Sequence, residues 1–165
     1  MATVNTVMVY KRSKKALIVL EAMFKAQFLV EAIKLGVIPP KLVFKKLPLG
    51  TTGEHTPGLV KVDLRQHGKA HDLDITIRHE LRHEWQYKKY PSIYAWVDKH
   101  IEEYNEGKDL YKYSLIEMDA RLYAATGEGL ERYFEELSEE DFDSMYKDGT
   151  LIPTMKKIAE LYQVP

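Results

Sequence analysis

The sequence predicts an α+β protein that is mostly helical, with a small β-sheet packed on one central helix. Apolar residues recur at helical spacing along most of the 165-residue chain, two stretches at 41–47 and 58–64 alternate as strands do, and a two-faced helix follows them. A hydrophobic content of 45% and a charged content of 30% are typical of a globular protein. We expect one domain over 1–165, with a core at about 14–137 and a C-terminal helical extension at 138–165.

The charge balance and the cysteine count exclude several classes of function. With 24 basic and 25 acidic side chains, the formal net charge is −1, which gives no reason to expect nucleic acid or an anionic membrane as a partner. The chain has no cysteine, so a disulfide framework and any zinc site built on thiolates are excluded. We expect a monomer.

The first helix is predicted between Lys14 and Leu35, with Gly36 as its end. Its apolar run at 16–20 follows basic residues and resembles the start of a signal peptide. Charged residues interrupt the run too early for a signal peptide or a membrane span. The pattern therefore predicts an amphipathic core helix in a cytoplasmic protein. Its apolar positions are Leu17, Leu20, Phe24, Phe28 and Leu35.

The segment after this helix predicts two strands separated by a loop. Pro39 and Pro40 forbid helix and begin an extended stretch, which we interpret as a strand at 41–47. Gly and Thr residues between Pro48 and Pro57 indicate a loop, and clean alternation at 58–64 indicates the second strand. The second strand is either a core strand or an edge strand that pairs with an extended substrate; the pattern fits both.

The central helix carries the motif HExxH, in which His79 and His83 are four residues apart. Residues at this spacing share one helix face, so the two imidazoles can grip one ion. Glu80 lies at the edge of that face, where it can reach a water on the metal without binding the metal itself. Two imidazoles, one further ligand and an open position are typical of a catalytic zinc site. The alternative is that both histidines merely flank a charged helix face.

The expected bounds of the central helix are a cap at Asp72 or Asp74 and a stop at Pro91. Its apolar residues fall opposite the two histidines, so one face carries chemistry and the other faces the core. Tyr87 lies one turn past His83 on the ligand face, as a candidate oxyanion donor or a tyrosine at the rim of the core. The core-facing residues are Ile77, Leu81 and Trp85.

Further helices are predicted downstream. A helix from Pro91 to about Glu106 includes His100 as a core or surface residue, and a turn follows at 105–108. Later helices are expected at 130–137, from a cap at Ser138 to Gly149, and from Pro153 to about Tyr162.

A helix around Glu117 is the expected source of the third ligand. Glu117, Ala120 and Ala124 share one stripe, and the small alanines permit the close approach that a short carboxylate needs to reach an ion. Asp119 points away from this stripe. The competing interpretation is a capping box, in which Ser114 begins the helix and Glu117 bonds to its backbone.

HExxH followed some thirty residues later by Glu117-Met118-Asp119-Ala120-Arg121-Leu122-Tyr123-Ala124 resembles the gluzincin metallopeptidases, and most closely their compact ImmA/IrrE-like and phage-type members. The resemblance covers 17–130 in the order of its elements, and its specific part is the two motifs. It implies a zincin-like fold, one Zn²⁺ ion held by His79, His83 and Glu117, and Glu80 as the general base in the hydrolysis of a peptide or protein substrate.

The chain departs from this family at Arg121, where many gluzincins have an aspartate that orients a zinc histidine. Metzincins are excluded by Gln86 and Lys89, and peptide deformylase is excluded because it needs a cysteine ligand. Tyr113 joins Tyr87 as a candidate oxyanion donor. Two rival functions stay open: a partner-specific regulatory module of ImmA/IrrE type with little general proteolysis, and a helical protein without metal.

Overall fold

The computed structural model describes residues 9–68, 70–103 and 108–165, which are mostly helical with one three-stranded sheet. This confirms the α+β class. The chain divides into two compact units on either side of the Glu84–Trp85 bond. The helices are α1 Lys14–Leu35, α2 Ala70–Lys89, α3 Pro91–Glu103, α4 Lys108–Lys112, α5 Leu115–Thr126, α6 Glu131–Glu136, α7 Glu139–Asp148 and α8 Leu151–Tyr162. The strands are β1 Lys41–Phe44, β2 Gly53–Thr56 and β3 Leu59–Val62.

Helix α1 has the predicted bounds because both of its ends are set by local chemistry. The Ser13 hydroxyl caps the start by accepting a hydrogen bond from the Ala16 amide at 3.1 Å. Gly36 ends the helix in the left-handed region at φ +68°, which glycine adopts without steric cost.

The sheet has the strand order β1-β3-β2, with β1 parallel and β2 antiparallel to β3. A two-residue turn at Pro57 and Gly58 joins β2 to β3, and Gly58 has the positive φ of +78° that such a turn needs. The prediction of a loop from Pro48 to Pro57 holds for residues 48–52 and is wrong for Gly53–Thr56, which form β2. The second predicted strand is a central core strand and is not an edge strand open to a substrate.

The core of the first unit joins α1, β3 and α2. Ile77 and Leu81 of α2 pack against this core as their spacing predicts, so the sheet lies on the helix that carries the HExxH motif. Trp85, the third predicted core residue of α2, is half-buried and instead contacts the rings of Tyr90 and Phe134. The buried members are Phe24, Phe28, Ala32, Val60, Val62, Leu64, Leu73, Ile77 and Leu81.

Asp63, which is 1% exposed, organises the turn between β3 and α2. Its carboxylate accepts hydrogen bonds from the Leu47 amide at 3.0 Å, from the Arg65 backbone and guanidinium, and from Gln66 Nε2 at 3.1 Å. Gln66 Nε2 also donates to the carbonyls of Pro48 and Thr51, so the segment before β2 is fixed to the same turn.

The second unit is built from α3 to α8 and the end of α2. Its core includes Trp96, against which His100 stacks while bonding to the Trp96 carbonyl at 2.7 Å, so His100 is a core histidine. The main buried members are Ile93, Trp96, Val97, Leu110, Leu115, Ile116, Met118, Leu122, Leu130, Phe134, Phe142, Leu151, Met155 and Ile158.

Several predicted helix ends need correction. Helix α2 begins at Ala70, so Asp72 lies in its first turn and Asp74 lies inside the helix. Helix α8 begins at Leu151, two residues before Pro153, because proline fits the first turn of a helix as well as its first position. The described part of α3 runs to Glu103, and its predicted end at about Glu106 and the turn predicted at 105–108 fall wholly or largely outside the described residues.

Helix α7 has the predicted start and end. Ser138 and Asp141 form a reciprocal capping box at its first turn, and Gly149 ends it with φ +79°. Among the described residues, none of the helices combines the length and apolar composition that crossing a membrane requires.

Candidate metal centre

The two histidines of the HExxH motif converge on one face of α2. Their Nε2 atoms lie 3.1 Å apart, and their ring planes are nearly perpendicular at 86°. His83 is buried and His79 is half-buried. Two nitrogens that each lie about 2.05 Å from a tetrahedral zinc ion would be separated by about 3.3 Å, so this pair has the spacing of two ligands on one ion.

Glu80 is buried at 6% exposure and lies under the edge strand β2. A Cβ atom at Gly53 would come within 3.0 Å of both Glu80 Cγ and Glu80 Oε1, and within 2.9 Å of Thr76 Cγ2. The backbone of β2 can approach the glutamate this closely only because residue 53 is glycine. Gly53 therefore sets the space available to the Glu80 carboxylate.

A second contact ties β2 to α2, through two residues that sequence reasoning missed. His55 Nε2 lies 2.6 Å from Glu84 Oε2, and the same oxygen accepts a hydrogen bond from the Gly58 amide at 3.1 Å. Burial lowers the pKa of His55 to about 4, an effect that outweighs the hydrogen bond to Glu84 and is reinforced by the nearby His83. Near neutral pH the imidazole is therefore uncharged and donates Nε2–H to the carboxylate.

Glu117 stands in the first turn of α5, where the capping interpretation is half fulfilled. The Ser114 hydroxyl accepts a hydrogen bond from the Glu117 amide at 3.2 Å. The reciprocal donor of a capping box, the Ser114 amide, bonds instead to the Tyr111 carbonyl at 3.3 Å. The Glu117 backbone thus takes part in the cap, while the donor that its carboxylate would need is bonded elsewhere.

His79, His83 and Glu117 form a group that could hold a metal ion. Each offers one ligand atom, and these atoms all lie within 4.8 Å of one another. Two imidazole nitrogens and one carboxylate oxygen are a donor set that zinc accepts in catalytic sites. The three predicted ligands therefore form a group that could hold a metal ion.

Asp119, which the sequence places on a different side of α5 from Glu117, bonds to two other elements of the fold. Its carboxylate is 0% exposed, and it accepts hydrogen bonds from Gln86 Nε2 at 2.7 Å and from the Leu130 amide at 2.6 Å. Gln86 also donates to the Ile116 carbonyl at 2.9 Å. These bonds fix the end of α2 to α5 and to the start of α6.

The structure also shows the contacts of three other residues that the sequence analysis singled out, namely Arg121, Tyr87 and Tyr113. The Arg121 guanidinium donates to the Lys112 carbonyl, so it anchors the approach to α5. Tyr87 lies edge-on to Tyr94, with ring centroids 5.4 Å apart. The ring of Tyr113 has the ammonium groups of Lys112 and Lys156 within 5.3 Å. A role as oxyanion donor stays a prediction for both tyrosines.

In comparisons with protein-family models, curated proteins and solved structures, nothing matches this chain. The gluzincin resemblance consequently stays a prediction based on the two motifs.

Proposed function

We propose that this protein is a zinc-dependent metallopeptidase. The observation that carries the proposal is the convergence of His79, His83 and Glu117, with two imidazole nitrogens 3.1 Å apart and a carboxylate oxygen within reach of the same ion. A structural zinc site would have no need of a glutamate beside its first ligand. Glu80 therefore favours a catalytic centre over a structural one.

The proposed reaction is the hydrolysis of a peptide bond with Glu80 as the general base. Zinc in such a site supplies Lewis acidity, which lowers the pKa of water toward neutrality and polarises a carbonyl. Glu80 accepts the proton of the attacking water and later delivers it to the leaving amine. The close approach of Gly53 limits where the carboxylate can go, which keeps it near the ligand face of α2.

We assign the substrate-binding edge to β2 instead of β3. In the strand order β1-β3-β2, β2 is an edge strand, and it lies directly over Glu80. An extended peptide that adds to this edge would bind by main-chain hydrogen bonds, which are independent of side-chain identity. The His55–Glu84 contact holds β2 against α2 while the peptide binds.

The substitution Glu80→Gln tests the mechanism. We expect it to retain one zinc ion per chain, because Glu80 is not a ligand, and to lose hydrolysis by about a hundredfold or more, because a glutamine cannot take a proton. Zinc content is measured by mass spectrometry of the metal, and cleavage is measured on a peptide library by mass spectrometry of the products.

The matched control is Glu128→Gln, an exposed glutamate between α5 and α6, which should leave both measurements unchanged. Full hydrolysis by Glu80→Gln would rule out the mechanism. A wild-type protein that contains almost no zinc, and whose melting does not respond to added zinc, would rule out the site itself.

A further inference from the structure

Helix α1 carries an uninterrupted apolar surface on the side opposite its core-facing residues. We name it the α1 stripe, and its five large members are between 45% and 75% exposed. Phe24 and Phe28, which are buried, point in the opposite direction. The α1 stripe consists of Val19, Ala22, Met23, Ala26, Leu29, Val30 and Ile33, all of them exposed.

The spacing of the stripe is that of a helix–helix seam. At about 100° per residue, all seven side chains point within about 60° of the direction of Ala26. Val19, Met23, Ala26, Val30 and Ile33 follow one another at intervals of four, three, four and three residues. This is the spacing by which side chains of one helix fit between those of another.

Between Val19 and Ile33 the charged residues of α1 lie outside the stripe. Glu21 and Lys25 point to other sides of the helix, and Glu31 is buried and bonded to Gln27 and Lys34. Lys15 lies on the line of the stripe, one turn before Val19. In a parallel pair of α1 helices Lys15 would face its own copy, which is unfavourable.

We propose that the α1 stripe binds the α1 stripe of a second copy of this chain, antiparallel, with the two-fold axis at Ala26. Residues at equal distances before and after Ala26 then meet. Val19 of one copy lies beside Ile33 of the other, and Met23 lies beside Leu29. The small Ala26 side chains at the centre let the two helices approach closely. Each Lys15 then lies beyond Leu35, the last residue of the partner helix, and far from the other Lys15.

The small exposed area of the stripe is consistent with a weak, reversible dimer. The exposed fractions correspond to an area on the order of 500 Å² per copy, so a pair of stripes can bury at most about 1,000 Å² in total, which is the lower limit of specific interfaces. We therefore expect a dissociation constant in the micromolar range. A lipid surface is the other apolar partner that a helix face can bind, but it would not require the seam spacing.

Sedimentation equilibrium from low micromolar to submillimolar concentration tests the pairing. Wild type should pass from monomer to dimer, and Ile33→Glu should raise the dissociation constant at least tenfold because it places a charge in the seam. Leu161→Glu is the matched control: Leu161 is 73% exposed on α8, against 75% for Ile33, and lies outside the stripe. Circular dichroism checks that both variants are folded.

Engineered cysteines test whether the two α1 helices run antiparallel. Because the chain has no cysteine of its own, any disulfide that forms must join the engineered positions. Under mild oxidation Ala26→Cys should link to itself, and a mixture of Val19→Cys and Ile33→Cys should link the two variants to each other. Val19→Cys alone should stay unlinked, because its copies would lie about 21 Å apart, far beyond disulfide reach.

The proposal would be overturned if the wild-type protein stayed monomeric over the whole concentration range. It would also be overturned if the wild-type protein bound anionic vesicles, lost this binding on Ile33→Glu, and never formed a dimer. Self-linking of Val19→Cys without the mixed product would overturn the antiparallel arrangement.

Discussion

Asp63 shows how a single carboxylate stabilises the turn that leads into the metal-site helix. Burial alone would raise its pKa, but the hydrogen bonds from Arg65, the Leu47 amide and Gln66 outweigh burial and hold the pKa well below its ordinary range. The ionised form is therefore the one that the folded state prefers.

The substitution Asp63→Asn should lower the free energy of unfolding by about 2 kcal/mol near neutral pH, since it removes the charge that these donors share. Urea denaturation measures the effect. Asp98→Asn, an exposed position on α3, is the control and should change stability little. Equal losses in the two variants would contradict the role assigned to Asp63.

The same carboxylate predicts a pH dependence. A group whose pKa is depressed in the folded state stabilises the protein above its unfolded pKa of about 3.9, and this stabilisation is lost as the pH falls through the folded pKa. The difference in stability between wild type and Asp63→Asn should therefore shrink as the pH falls from about 5 toward about 2. Denaturation at a series of pH values measures it, and a constant difference would count against this linkage.

Strand β2 is the element that connects the sheet to the chemistry. Gly53 of β2 packs on Glu80, and His55 of β2 bonds to Glu84. Both contacts are therefore made with the helix that carries the histidine ligands.

The substitution Gly53→Ala should therefore impair the proposed hydrolysis more than it impairs folding. The added Cβ meets both Glu80 and the buried Thr76 Cγ2, so some stability is lost. We expect activity per folded molecule to fall about tenfold or more, because the Glu80 carboxylate is displaced. Gly58→Ala is the contrasting control. Its Cβ meets nothing within 4 Å, but its positive φ costs about 1 kcal/mol, so it should lose stability and keep its activity per folded molecule. Equal losses of activity would refute the assignment.

Local chemistry explains which elements could be predicted. The ends of α1 and α7 depend on Ser13, Gly36, Ser138 and Gly149, which act within one turn of the chain. Strand β2 has only four residues and no run of apolar side chains, and its conformation follows from pairing with β3. The Pro57-Gly58 turn was the one sequence signal that could have indicated it.

In the candidate site, too, the contacts within one helix could be predicted from the sequence and the contact between a strand and a helix could not. His79, Glu80 and His83 belong to one helix, so their spacing alone predicts that the ligand atoms meet. The His55–Glu84 contact joins residues 29 positions apart through the fold of a strand, and no local pattern predicts it.

For the whole molecule, zinc binding should appear as a gain in stability. If only the folded state binds the ion, zinc at a thousandfold excess over its dissociation constant adds about 4 kcal/mol to the free energy of unfolding. For a chain of this size that raises the melting temperature by about 10 °C. Calorimetry of the chelated and zinc-loaded protein measures the shift.

The double variant His79→Ala/His83→Ala should show no such shift, because it lacks both nitrogen ligands. An identical response to zinc in wild type and the double variant would mean that the ion binds elsewhere.

The arrangement of the three strands also implies an order in time. Strands β2 and β3 are joined by two residues, and such a hairpin forms within about ten microseconds. Strand β1 must close a loop that contains the whole of β2 before it can pair with β3, which is slower. During this interval the edge of β3 that later pairs with β1 is exposed to strands of other chains. Two lysines directly after β1, Lys45 and Lys46, place positive charge beside the strand that later covers this edge. The extent of aggregation during refolding should therefore depend on the rate at which β1 pairs with β3.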